Sequence, residues 1–79
     1  MRNIIPLYKL PLNCQGKIVK LNCSGNIRRR FLDLGLIENT FIKPILISPS
    51  GDPTAYCLRS SVIALRKDDS KLIDIILTN

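Results

Sequence analysis

The stretch Arg28-Arg-Arg-Phe-Leu-Asp-Leu-Gly-Leu-Ile-Glu-Asn-Thr40 limits what this chain can fold into more than any other. Ile27, Phe31 and Leu34 recur at i, i+4 and i+7, which is one stripe of an α-helix. The spacing predicts a helix from Ile27 to Leu34 with that stripe turned inward. Leu32 and Leu36 sit beside the stripe and widen it. Asn26 is the expected N-cap, because its side-chain oxygen can accept from an orphan N–H of the first turn. Gly35 stands where a left-handed residue must end the helix, and glycine has no Cβ to clash there. Glu38-Asn39 makes a tight turn, with asparagine tolerating positive φ. Helix, stop, turn and strand therefore follow one another closely.

The flanking residues read as short strands. Ile4 to Leu12 is an apolar lead-in punctuated by Pro6 and Pro11, which exclude helix and suit an extended edge. Ile5, Leu7 and Leu10 are expected against the core. Gly16 to Asn22 is the first true strand. Its Lys17 and Lys20 do not alternate cleanly with Ile18 and Val19, which predicts a bulge or an edge. Thr40 to Ser48 is the longest strand, and Pro44 inside it predicts an edge or a bend. Pro49-Ser-Gly-Asp-Pro53 is a turn. Thr54 to Arg59 returns with Tyr56 and Leu58 on one face. Ser60-Ser61 turns again, Val62 to Arg66 is a strand, Lys67 to Lys71 is a single helical turn, and Leu72 to Leu77 closes the chain. About five strands and one helix in 79 residues predict a mainly β fold, a small closed or half-closed barrel, as a single domain over 1–79 with a lead-in over 1–15.

Composition narrows the function. The chain has no histidine, no Ser/His or Cys/His pairing and no glycine-rich phosphate loop, so it is not expected to be an enzyme or to need a cofactor. Cys14, Cys23 and Cys57 form no CxxC pair and are expected as packed, reduced core thiols. No metal site is expected from their spacing to the carboxylates. No run of ~18 apolar residues occurs, so no membrane-spanning segment is expected and the cytoplasm is the default location. A net charge of +6 admits nucleic acid, an acidic protein surface or an anionic membrane as partner. Few aromatics for base stacking weigh against nucleic acid. The concentrated charge is Arg28-Arg29-Arg30, on a helix with more apolar surface than so small a barrel can cover. Leu32 and Leu36 are expected to leave an apolar edge rimmed by arginines, as at a protein–protein contact. A strand edge near Pro44 or at the C-terminal strand is open to pairing with another copy.

Several short motifs stand in a fixed order: Arg29-Arg-Phe-Leu-Asp-Leu-Gly-Leu36, Thr40 opening the long strand, Ser48-Pro-Ser-Gly-Asp-Pro53, Leu58-Arg59, and Ala64-Leu-Arg66 before an acidic turn. In this order, from Gly16 to about Ile76, the chain resembles the FeoA family. Asn39 and Ser60 stand where that family favours glycine. The resemblance implies an SH3-like barrel of about five strands with one inserted helix and a short C-terminal helical turn. It implies a non-enzymatic accessory protein of bacterial ferrous iron transport, docking on the cytoplasmic GTPase domain of the membrane Fe(II) permease. The expected contact residues are Arg28, Arg29, Arg30, Phe31, Leu32 and Leu36, with Asp52, Pro53 and Tyr56. The fold unit also resembles the C-terminal domain of diphtheria-toxin-repressor-type metalloregulators. A metal-responsive domain and a basic nucleic-acid-binding barrel are the alternative readings.

Overall fold

The computed structural model describes residues 3–78. Strands β1 (Ile4–Pro6), β2 (Gly16–Leu21), β3 (Phe41–Ile47), β4 (Thr54–Leu58), β5 (Ser61–Leu65) and β6 (Ile73–Leu77) hydrogen-bond in the order β1-β6-β2-β3-β4-β5. Helix α1 (Gly25–Asp33) is inserted between β2 and β3, and the single turn α2 (Lys67–Ser70) joins β5 to β6. Every pairing is antiparallel.

The count of strands is six rather than five. The added one is β1, which pairs Ile4 with Ile76 and Ile5 with Ile75. Three residues between the N-terminus and a 3-10 turn carry too little alternation to be read as a strand, and only the distant β6 defines them. The lead-in is not wholly extended either. A 3-10 turn at Leu7–Lys9 fits between Pro6 and Pro11 and drives Leu7 and Leu10 into the core.

β2 carries the expected irregularity: its register against β6 shifts between Ile18 and Lys20. β3 carries the other, a shift against β4 between Pro44 and Leu46. Pro44 is therefore at a bend inside the sheet, not at an edge. Proline cannot donate to a ladder, so the bulge sits where no donor is needed. Its carbonyl still accepts, from the Asn13 N–H at 2.7 Å. The bend lets β3 serve both halves of the barrel. The edges of the sheet are β1 and β5, so the expectation of open edges near Pro44 and at β6 is corrected by topology.

Gly16 shows how tightly the halves meet. A Cβ there would lie 3.0 Å from Ile75 Cδ1, 3.1 Å from the Ile76 carbonyl oxygen and 3.2 Å from Leu10 Cδ2. The backbone oxygen cannot move without breaking the β2–β6 ladder. Gly16→Ala is expected to cost roughly 1–3 kcal/mol by overpacking. A shift of the urea unfolding midpoint, at unchanged slope, measures it.

Candidate docking surface

The helix ends as its sequence dictates. Gly35 has φ +92° and Asn39 has φ +74°. The Gly35 N–H donates to the Leu32 carbonyl at 3.0 Å and the Leu36 N–H donates to the Phe31 carbonyl at 2.9 Å. These two bonds are the Schellman pattern, which brings the residue after the glycine onto the helix residue five positions before it. Phe31 and Leu36 are that apolar pair, and both are 0% exposed. Leu36 is thus a core residue, not part of an exposed edge. The spacing of Leu36 to Phe31 across Gly35 is the signal that places it.

The other end differs from expectation. The N-cap is Ser24, not Asn26, and it makes no side-chain capping bond. Gly25, at φ +62°, lets the chain turn into the helix before Asn26 is reached.

The stripe is narrower than the periodicity predicts. Phe31 alone is buried, while Ile27 is 46% and Leu34 38% exposed. A helix this short against a small barrel rests on one large side chain. Leu32 is 40% exposed, as expected. At 100° per residue, Leu32 lies on the flank shared with Arg28, and Arg29 points farthest from Phe31. Ile27 and Leu34 share the opposite flank.

The arginines are not equivalent. Arg30 Nη2 donates to Asp69 Oδ1 of α2 at 2.7 Å, and its guanidinium lies 5.6 Å from the Phe31 ring centroid. Arg30 therefore holds α1 to α2. Arg28 and Arg29 have no carboxylate partner among the described residues. Their charge is available to a partner.

Asp52 and Tyr56 belong to the support of α2, while the Pro53 carbonyl accepts from the Ser48 N–H at 3.1 Å across the β3–β4 turn. Asp52 Oδ1 accepts from the Lys67 backbone N–H at 2.9 Å, one of the orphan donors at the start of that turn. Pro53 is half-buried. Tyr56 is buried. Burial pushes its hydroxyl above the ordinary value of 10.0, the neighbouring Ser70 and Thr54 hydroxyls act in the opposite sense, and the Asp52 charge adds to the rise. The phenol is neutral at physiological pH. The two predicted groups of residues are thus linked through α2, one by Asp52 and the other by Arg30.

The thiols are half-buried rather than in the core. Cys14 and Cys23 pack against it, and Cys57 opens on a cleft of about 480 Å³ that Lys43 and Arg59 also line. Among the described residues no carboxylate lines that cleft, and Lys43 and Arg59 give it a basic lining. Among the described residues, no three Cys, Asp or Glu side chains are grouped to hold a metal ion. No described helix is long and apolar enough to cross a membrane.

Known proteins fit this geometry. The FeoA domain model matches residues 5–76. The chain belongs to the FeoA domain family. A FeoA-like protein from Clostridium acetobutylicum superposes with a TM-score of 0.90 at 28% identity, over 100% of this chain and 92% of that one. Iron(II) transport protein A from Clostridium thermocellum gives a TM-score of 0.90 at 24% identity, over 94% of this chain. The match spans 46% of that longer chain. Stenotrophomonas maltophilia FeoA complexed with zinc, described as a prokaryotic SH3 domain protein, gives 0.76 at 23% identity, over 95% of this chain and 88% of that one. The barrel is thus the SH3-like fold of FeoA proteins. No curated protein matches the sequence.

Proposed function

We propose that this FeoA-family chain is a non-enzymatic accessory protein of ferrous iron uptake that docks on the cytoplasmic GTPase domain of the membrane Fe(II) permease. The observation that carries this reading is the outer flank of α1, where exposed Leu32 lies beside Arg28 and Arg29, whose charges are unpaired among the described residues. An apolar contact rimmed by cations suits an acidic protein surface: the arginines steer encounter and fix register, and the leucine supplies desolvated area. Phe31 and Leu36 contribute by holding α1 on the barrel. Arg30, Asp52 and Tyr56 contribute by fixing α2 behind it. The S. maltophilia FeoA is itself named as a candidate activating factor of bacterial ferrous iron transport, which supports the same role here.

Isothermal titration of the protein into the soluble GTPase domain of the permease from the same organism tests the proposal. Saturable one-to-one binding that weakens as salt rises is expected. Absence of binding in every nucleotide state of the GTPase domain, or tighter binding to RNA, overturns it.

A further inference from the structure

The edge strand β5 is uncharged and unprotected. Its residues are Ser61-Val-Ile-Ala-Leu65, with no proline, lysine or glutamate of the kind that usually blunts an edge. Its pairing with β4 fixes which backbone groups are left over. Arg59 and Ser60 form a two-residue connection, and Leu58 opposite Ser61 closes it. In an antiparallel ladder the bonded pairs then alternate, so Ser61, Ile63 and Leu65 bond to β4. The N–H and C=O of Val62 and Ala64 point away from the sheet. Neither residue donates or accepts a backbone or side-chain bond elsewhere among the described residues. Four orphan groups therefore line one edge. Val62 is 61% exposed and Ala64 is exposed too. Beside them, the outer face continues as the rows Leu46–Ala55–Ala64 and Lys43–Cys57–Val62.

Charge says what can pair there. Arg59 precedes β5, Arg66 and Lys67 follow it, and Lys43 lies across the face. Neither Arg59 nor Arg66 has a carboxylate partner among the described residues. A second copy is a poor fit. Antiparallel pairing centred on Ile63 sets Val62 opposite Ala64 but also brings the Arg59 end of one copy beside the Arg66 and Lys67 end of the other, at both ends by symmetry. Like charges brought together at the ends of a strand pair disfavour it. The chain's net +6 opposes self-association further.

We infer that the free edge of β5 takes an extended segment of a partner protein as a seventh strand, apolar or small in its middle and carboxylate-bearing at both ends. The ladder supplies affinity through Val62 and Ala64, the outer rows select side chains, and the flanking arginines set the register. This surface is separate from the α1 flank and stands without the docking proposed above.

Two peptides test it on the isotope-labelled full chain: acetyl-Asp-Glu-Val-Thr-Val-Thr-Val-Glu-Asp-amide, and the same peptide with lysine at every acidic position. The acidic peptide is expected to slow exchange of the Val62 and Ala64 amides roughly tenfold or more, leaving Ile63 unchanged, while the lysine peptide does not. Ala64→Pro is expected to abolish the effect. It removes an outward N–H without touching the β4 ladder. Should that variant fail to fold, Arg66→Glu serves instead, since the Arg66 side chain makes no capping bond to α2. It must weaken the acidic peptide and strengthen the lysine one. Equal protection by both peptides, binding that survives Ala64→Pro, or a dimer of the chain alone with Val62 and Ala64 protected would overturn the inference.

Discussion

Phe31→Ala is expected to remove a quarter or more of the fold's stability. Phe31 is the one buried side chain of α1, it is wholly enclosed, and it pairs with Leu36 below the glycine stop. Truncating a buried phenylalanine costs about 3–5 kcal/mol, from lost transfer energy and the cavity left behind. A chain of 79 residues has roughly 4–12 kcal/mol in total at typical stability per residue. The variant therefore approaches the unfolding threshold, and α1 loses its seat on the barrel. The urea midpoint and the dispersion of the amide spectrum measure it. A loss below about 1 kcal/mol would show that the core closes without the helix, since surface substitutions rarely exceed ~0.5 kcal/mol.

Arg28→Glu with Arg29→Glu is expected to separate docking from folding. Neither side chain makes an ion pair among the described residues, and neither belongs to the core. Stability should change by no more than about 0.5 kcal/mol. Affinity for the GTPase domain should fall at least roughly tenfold, about 1.4 kcal/mol, and the remaining binding should lose most of its salt dependence. Arg30→Ala is the contrasting variant. It breaks the bond to Asp69, whose side chains are 56% and 27% exposed, so a stability cost of about 0.2–1 kcal/mol is expected after screening by solvent. Comparing the two by chemical denaturation and titration calorimetry tells whether the arginines act on a partner or on the fold. Unchanged affinity in the double variant removes the electrostatic half of the docking proposal.

The local signals in the sequence were the dependable ones. Gly35 and Asn39 marked positive φ because few residues tolerate it, and Pro44 marked a bend because its nitrogen cannot donate. What depended on distant residues was not legible. Pro6 and Pro11 mark the lead-in as an extended edge, but that Ile4–Pro6 pair as a strand is decided by β6, some seventy residues away. The edge strand could not be found from composition, since Pro44 looks like an edge marker while β5 looks like a core strand; the order of the whole sheet decides between them. The candidate site divides in the same way. Three consecutive arginines are alike in sequence, and Asp69, 39 residues on, makes one of them structural. Leu36 reads as a surface residue when helical periodicity is carried past Gly35, where the chain has already left the helix.

The central claim is that the outer flank of α1 meets the permease. An amide chemical-shift titration of the labelled protein with the soluble GTPase domain, at moderate salt, tests it most directly. Shifts centred on Arg28, Arg29 and Leu32, and lost in the Arg28→Glu, Arg29→Glu variant, are the predicted result. Shifts confined to the β5 edge, or none in any nucleotide state, would contradict it.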